Sequence, residues 1–197
     1  MVRTRLKPDQ RRALIVESAG RLFGEHGYDG TRLDRVAAAA GVTKPVLYRH
    51  FADKTALYLA LLERHRDDLG RFQGAIPPAG TLEARLRAVV EVWVGYVEAH
   101  AYAWRMLFRD RGGGERVQAF RLEVHDRARG VLAGLIEALA ETPIPPGEVE
   151  PLAELLSMGQ ASLVLWWMDN PGVPREAIVD AIVRVWHGVL GARVTHG

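Results

Sequence analysis

The sequence contains no cysteine, which excludes disulfide bonds, thiolate metal sites and cysteine nucleophiles. It also has no run that approaches the roughly 20 apolar residues of a membrane-spanning helix. The basic residues between Met1 and Lys7 are not followed by an apolar segment that could serve as a signal sequence. We therefore expect a soluble cytoplasmic protein that does not interact with membranes.

Residue patterns typical of catalysis or cofactor binding are missing as well. No two of the seven histidines have the i, i+4 spacing of a helical metal site. The glycine run 112–114 follows no predicted strand, so it does not indicate a phosphate-binding loop. The three serines, Ser18, Ser157 and Ser162, fall within predicted helices and not in a nucleophile elbow. We expect no metal, no cofactor and no enzymatic activity.

Apolar residues recur with the 3.6-residue period of helices, and the alternation typical of half-buried strands is absent. Glycine and proline clusters divide the chain into segments, so the pattern predicts an all-α protein of about nine helices. The first helix is expected to run from Pro8 to Gly27, and a longer one from Asp53 to about Gly74. Candidate N-caps are Thr31, Thr43, Asp53 and Thr81.

Charge is distributed unevenly along the chain, although the net charge is only +2. Residues 1–52 contain ten Lys and Arg against five Asp and Glu, whereas residues 53–197 contain sixteen against nineteen. A basic first quarter on a mildly acidic remainder indicates that a polyanion binds the first quarter.

Two short helices joined by Gly41-Val42 follow the first helix, and neither is long enough to be stable alone. Small apolar residues at Val36, Ala37 and Ala40 allow the two helices to cross closely. The apolar face of the first helix, at Ile15 and Phe23 among others, supplies the third wall of a small core. This arrangement predicts a helix-turn-helix.

These residues resemble the N-terminal signature of the TetR family of bacterial regulators. The resemblance covers about residues 10–60, with Arg32 standing where the family usually has Thr or Ser, and a weaker likeness occurs at 166–174. The segments that carry it are GYDGT at 27–31, VAAAAGVTKPVLYRHF at 36–51, DK at 53–54 and WWMDNPGVP at 166–174. It implies a three-helix DNA-binding domain at 1–54 and a helical ligand-binding and dimerisation domain at 55–197.

The outward side of the helix after Thr43 is expected to contact DNA. Lys44 and Arg49 are long donors suited to guanine or to phosphate, and Val46 can touch a thymine methyl group. The resemblance implies a phosphate contact for the Tyr48 hydroxyl. Half-buried packing of Tyr48 and a structural role for His50 are the alternatives. The candidate DNA-binding residues are Thr31, Arg32, Thr43, Lys44, Pro45, Val46, Tyr48, Arg49, His50 and Lys54.

Aromatic residues cluster from about residue 82 onward. An aromatic stripe at helical spacing forms a core more often than a pocket, but cavities between bundled helices are common ligand sites. The resemblance implies an inducer in this region, and the apolar lining favours a small lipophilic or aromatic effector. The candidate ligand-binding residues are Trp93, Tyr96, Phe120, Val124, Ser162 and Trp166.

The last predicted helix has two adjacent apolar stripes, which is more apolar surface than one neighbouring helix can cover. With the preceding helix it is expected to form a four-helix interface with a second copy of the chain, as the resemblance also implies. The candidate dimer-interface residues are Leu155, Met158, Leu165, Val179, Ile182, Val183, Trp186 and Leu190.

The function that follows is sequence-specific transcriptional regulation, with a dimeric repressor released from a palindromic double-stranded DNA operator by a ligand. One alternative is a helical ligand-binding or interaction protein whose helix-turn-helix is only structural, against which the basic first quarter argues. A small helical enzyme is the other, and it lacks any acid–base or metal constellation.

Overall fold

A computed structural model describes residues 7–68, 76–77 and 79–191, and these residues form nine α-helices and no strand. The prediction of an all-α fold is therefore confirmed. None of the helices in the described ranges is long and apolar enough to cross a membrane. The helices are α1 (Pro8–Gly30), α2 (Leu33–Ala39), α3 (Lys44–His50), α4 (Lys54–Asp68), α5 (Leu82–Ala99), α6 (Ala101–Phe108), α7 (Gly114–Leu139), α8 (Val149–Met168) and α9 (Arg175–Leu190).

Two of the four predicted N-caps make the expected side-chain hydrogen bond. The Ala56 N–H donates to the Asp53 carboxylate at 2.7 Å, and the Ala84 N–H donates to the Thr81 hydroxyl at 3.3 Å. Thr43 occupies the N-cap position of α3, but its side chain accepts no cap hydrogen bond. The prediction that Thr31 caps α2 is wrong, because Arg32 occupies that position.

The first helix does not end at Gly27 as predicted. Its backbone leaves the helical region there, with φ 69° and ψ 179°, and then continues as helix to Gly30. Glycine adopts a positive φ without the steric cost that a Cβ imposes, so the kink depends on this residue. The predicted end of the α4 segment near Gly74 lies outside the described residues.

The chain divides into two compact units, and neither is continuous in sequence. The first unit consists of Met1–Arg66 and Tyr102–Leu122, and the second of Asp67–Ala101 and Glu123–Gly197. This division differs from the predicted boundary between residues 54 and 55, since most of α4, all but the first residue of α6 and the start of α7 pack with the N-terminal helices. The assignment of separate functions to two domains stays a prediction.

Each unit has its own core. In the first unit, the Phe23 ring meets the Tyr58 ring edge-on at 4.9 Å between centroids, and Ile15 and Leu61 are fully buried. In the second unit, α5, the end of α7, α8 and α9 enclose a large apolar cluster. Full burial of one such side chain contributes about 1.5–3 kcal/mol, so these clusters account for most of the stabilisation.

Candidate functional site

The helix-turn-helix is held by a small core and a short turn. Val36 and Leu47 are fully buried, and they fix α2 and α3 to the rest of the first unit. Gly41 has a φ of 64°, and the Val42 N–H donates to the Ala37 carbonyl at 3.0 Å across the turn. Burial of Leu47 determines which side of α3 faces outward.

The outward side of α3 presents most of the predicted DNA-binding residues. Thr43, Lys44, Pro45, Tyr48 and Arg49 are exposed, whereas Val46 and His50 are half-buried. Tyr48 is 44% exposed, which does not support its being mainly a packing residue. One short helix thus carries a cation at each end and a phenol between them.

Lys44 forms an ion pair within this surface that the sequence analysis did not anticipate. Its ammonium lies 2.8 Å from an Asp34 carboxylate oxygen, and the Arg32 guanidinium lies 3.8 Å from the same carboxyl group. The hydrogen bond and the charge of Lys44 lower the pKa of Asp34, and Asp34 in turn raises the pKa of Lys44. Both groups are therefore ionised near neutral pH.

Lys54 lies at the start of α4, in contact with the end of α1. Its ammonium donates to the Thr31 carbonyl at 2.9 Å and lies 4.5 Å from the centroid of the Tyr28 ring. The Tyr28 hydroxyl lies 2.7 Å from the Thr55 hydroxyl. These contacts place the predicted phosphate-binding cation beside the segment that leads into α2.

The prediction that the Thr31 side chain contacts DNA is not supported by its position in the structure. Its side chain is buried, and its hydroxyl donates to the carbonyl oxygens of Gly27 at 2.8 Å and Leu22 at 3.0 Å. A single hydroxyl hydrogen already shared between two internal carbonyls is not available to a phosphate. Thr31 therefore closes the end of α1, and the neighbouring Arg32 is the exposed residue.

The predicted dimer interface is also largely corrected. Val179, Ile182, Val183, Trp186 and Leu190 are buried in the core of the second unit of the same chain. They cannot form a surface for a partner, because their neighbours on α5 and α7–α8 already cover them. Of the other three residues, Leu155 and Met158 are exposed and Leu165 is half-buried.

An exposed apolar stripe does run along the outer side of the second unit. Leu155 is 67% exposed, Met158 43% and Trp166 50%, and their spacing places them on one side of α8. Val185 of α9 is 56% exposed. Side chains of this size and exposure in a contiguous stripe are typical of an interaction surface.

Two of the six predicted ligand residues are exposed to solvent. Ser162 and Trp166 lie on the exposed side of α8 and so do not line an interior cavity, which corrects that part of the prediction. Phe120 belongs to the first unit, whereas Trp93, Tyr96 and Val124 belong to the second. Val124 is buried, and Trp93 and Tyr96 are half-buried. The Tyr96 hydroxyl donates to Asp68 at 3.1 Å.

The second unit also has an open groove of about 350 Å³ that the sequence analysis did not predict. It contains the ion pair between Arg87 and Asp180, whose nearest atoms are 2.6 Å apart. Its charged lining differs from the apolar pocket expected for a lipophilic effector. The groove is lined by Glu83, Arg87, Asp180, Val183, Arg184 and His187. No group of three potential metal ligands is found within the described ranges.

Comparisons with known proteins agree with this arrangement. Residues 15–61 match the family model of bacterial regulatory proteins of the tetR family. The transcriptional activator FasR of Mycolicibacterium smegmatis is 38% identical over 107 residues, which are 54% of this chain and 49% of FasR. The transcriptional repressor AcnR of Corynebacterium glutamicum is 36% identical over 85 residues, 43% of each chain. This chain thus spans about half the length of these curated relatives.

Solved structures match over nearly the whole chain. A tetR-family regulator from Streptomyces coelicolor has a TM-score of 0.74 and 27% identity, covering 93% of this chain and 82% of that one. A TetR-like regulator from Rhodococcus sp. RHA1 has a TM-score of 0.75 and 25% identity, covering 96% and 100%. The fold and the exposed helix-turn-helix define an all-α protein of the helix-turn-helix class. Residues 15–61 are similar to the TetR family of bacterial regulatory proteins, and the fold of the described residues is similar to that of solved tetR-family regulators. These relatives are transcriptional regulators, in agreement with the expectation from the sequence.

Proposed function

We propose that this protein regulates transcription by binding a double-stranded DNA operator through α3. The observation that carries the proposal is the two-sided character of α3, with Leu47 fully buried and Lys44, Tyr48 and Arg49 exposed. An α-helix fits the major groove, where long donors distinguish base pairs. A structural helix-turn-helix without DNA binding gives no reason for this outward set of donors.

Each exposed residue has a proposed role. Lys44 and Arg49 contact bases or phosphates, with Arg49 suited to bidentate pairing with guanine. Tyr48, Lys54 and Arg32 contact phosphates, which fix the position of the helix on the duplex without selecting a sequence. Thr43, Pro45, Val46 and His50 border the same surface.

We propose that a second copy of the chain packs on the exposed stripe of α8 and α9. Because such a dimer is two-fold symmetric, its operator should be palindromic. An exposed apolar stripe on two neighbouring helices suits a symmetric four-helix interface. The revised interface residues are Leu155, Met158, Leu165, Trp166 and Val185. To bind successive major grooves, the two α3 helices of such a dimer must lie about 34–36 Å apart, one turn of B-DNA.

Repression with release by a lipophilic effector is the finer part of the proposal. The relatives include an activator and a repressor, so a promoter assay decides the sign of regulation. The FadR of Bacillus subtilis, solved in complex with stearoyl-CoA, shares the fold at 16% identity with a TM-score of 0.69. In this chain Trp93, Tyr96 and Val124 are the remaining candidates for an apolar site. An acyl-CoA titration that quenches tryptophan fluorescence and weakens operator binding supports this part, and unchanged operator affinity at saturation contradicts it.

Selection from a random double-stranded DNA library tests DNA binding. The purified full-length protein should enrich a two-fold symmetric consensus, and Arg49→Ala should lose enrichment at defined base pairs. Arg184→Ala, which removes the same charge from an exposed position on α9, serves as the matched control and should select the wild-type consensus. Failure of the wild-type protein to enrich any sequence contradicts the proposal.

A further inference from the structure

The kink in α1 is joined to the segment between α6 and α7 by a nearly buried carboxylate. Immediately after the break at Gly27, the Tyr28 N–H donates to an Asp110 carboxylate oxygen at 2.6 Å. Asp110 lies two residues beyond the end of α6 and 82 residues from Tyr28 in sequence. The last turn of α1 therefore takes its direction partly from a residue outside the helix-turn-helix.

Asp110 accepts further hydrogen bonds that fix its orientation. The Gly112 N–H donates to its other oxygen at 3.0 Å, and the Tyr58 hydroxyl of α4 lies 3.0 Å from the oxygen that Tyr28 contacts. The Arg121 guanidinium of α7 lies 3.8 Å from the same oxygen, and both side chains are nearly buried. A buried carboxylate is stable only when such partners replace its water.

Arg121 of α7 extends this cluster to α4, to α6 and to the segment between α6 and α7. Its guanidinium donates to the Tyr58 hydroxyl at 2.8 Å, to the Met106 carbonyl at 3.1 Å and to the Gly112 carbonyl at 3.2 Å. Burial raises the pKa of the Tyr58 phenol, so Tyr58 remains a neutral hydrogen-bonding group. The cluster thus ties α4, α6 and α7 to the end of α1.

Two side-chain contacts connect this cluster to the proposed phosphate contacts. The Tyr28 hydroxyl lies 2.7 Å from that of Thr55 in the first turn of α4, and the Lys54 ammonium lies over the Tyr28 ring. Lys54 also donates to the Thr31 carbonyl, next to Arg32. Displacement of Tyr28 would therefore move Lys54 and the start of α2 together.

A second contact between α1 and α6 limits independent movement. A Cβ at Gly24 would lie 2.5 Å from the Tyr102 Cβ and 2.9 Å from its Cα, and a Cβ at Gly20 would lie 2.7 Å from the Tyr102 ring. The two backbones are thus as close as glycine permits. With Tyr102 near one end of α6 and Asp110 beyond the other, α6 holds α1 at two points.

We propose that Asp110 is a positioning residue for DNA binding: its carboxylate holds Tyr28, and through Tyr28 the Lys54 ammonium and the start of α2, in the geometry that fits the operator. A shift of the α6–α7 segment then changes operator affinity directly through α1. This inference rests on the proposed DNA-binding function and specifies the residue that sets the geometry of that surface.

The test compares full-length Asp110→Asn with the wild-type protein on the selected operator. Asparagine keeps the size of the side chain, but its amide nitrogen cannot accept the hydrogen bonds that the second oxygen accepts. Well below the melting temperature, we expect operator affinity to fall about tenfold, within the usual range of coupling between sites. The slope of log affinity against log salt should fall by about one as the Lys54 phosphate contact is lost.

The salt slope distinguishes positioning from a general loss of stability. Asp68→Asn is the matched control, since it removes a buried carboxylate of the second unit that accepts from Tyr96. It should lower the melting temperature and leave both operator affinity and salt slope unchanged. A folded Asp110→Asn variant with wild-type affinity and slope would overturn the inference.

A milder variant tests the same path if Asp110→Asn does not fold. Tyr28→Phe keeps the ring and the backbone N–H, but it removes the hydroxyl contact with Thr55. We expect roughly threefold weaker operator binding, as for loss of one ordinary hydrogen bond. Wild-type affinity in Tyr28→Phe would then overturn the inference. Absence of DNA binding by the wild-type protein would instead contradict the proposed function itself.

Discussion

The Lys44 ammonium at the first residue of α3 lies 2.8 Å from the Asp34 carboxylate of α2. A cation proposed to contact DNA is thus paired with an anion of the same surface in the free protein. Exposed pairs of this kind contribute little to stability, so a phosphate can displace the carboxylate. We expect Asp34 to lie close to bound DNA as well, where its charge opposes binding of a phosphate backbone that makes no compensating base contacts.

The first prediction is that Asp34→Asn increases affinity for random DNA more than affinity for the operator. Removing one negative charge should steepen the salt dependence, because non-specific binding is mainly electrostatic. Fluorescence anisotropy on both DNAs across a salt series measures this. Asp180→Asn removes the carboxylate of an exposed ion pair with Arg87 on the second unit and should change neither value. A larger gain on the operator than on random DNA would contradict the prediction.

The effect of Asp34→Asn should not depend on pH near neutrality. Since the pKa of Asp34 is lowered and that of Lys44 is raised, both charges persist there. The contribution of the Asp34–Lys44 pair to folding stability is complete above the ordinary pKa of a carboxyl group. It is lost as the pH falls through the lowered pKa of Asp34. Equal variant-to-wild-type affinity ratios between about pH 6 and 8 are expected. A ratio that changes steadily over this range would contradict the assignment.

Arg49 and Tyr48 should respond differently to substitution. Arg49→Ala is expected to cost about 1–3 kcal/mol on the operator and little on random DNA, because bidentate contacts to guanine specify sequence. Tyr48→Phe should weaken binding to both DNAs equally, because a phosphate contact carries no sequence information. Titrations of both variants on both DNAs decide between these roles. A change of preferred sequence in Tyr48→Phe, or equal losses in Arg49→Ala, would reverse the assignment.

The exposed stripe of α8 should determine the oligomeric state. Leu155→Glu places a carboxylate in the proposed interface and should give monomers in sedimentation velocity without loss of helical content. Val92→Glu is the matched control, because Val92 is a similarly exposed apolar residue on α5. It should leave the dimer intact. A monomeric wild-type protein, or a dimeric Leu155→Glu variant, would exclude this interface.

Local features of the sequence predicted the secondary structure well. These features depend only on residues close together in sequence: the positions of glycine and proline, the helical periodicity, and the capping side chains of Asp53 and Thr81. For this reason the predicted helices and these two caps agree with the structure. The prediction that α9 buries a large apolar surface also agrees with the structure. The prediction that a second copy covers this surface does not, because a sequence pattern shows how much surface a helix buries but not whether its own chain or a partner covers it. Val183 and Trp186 pack inside their own unit.

Long-range polar contacts could not be predicted in this way. Asp110 and Tyr28 are 82 residues apart, and Arg121 and Tyr58 are 63 apart. Neither pair belongs to a periodic pattern or to a short motif. Thr31 illustrates the same limit at close range, since a threonine near a helix start looks like a cap until the structure shows its hydroxyl donating to the preceding helix.

The most direct test of the account is the ratio of affinities for the selected operator and for random DNA of the same length, measured by fluorescence anisotropy at physiological salt. Sequence-specific regulators bind their sites about 10³–10⁷ times more tightly than random DNA. We expect a ratio in this range for the wild-type protein, reduced in Arg49→Ala by about 10- to 100-fold, the equivalent of the cost of one base contact. Equal affinity for the two DNAs would contradict the central claim that α3 recognises a sequence.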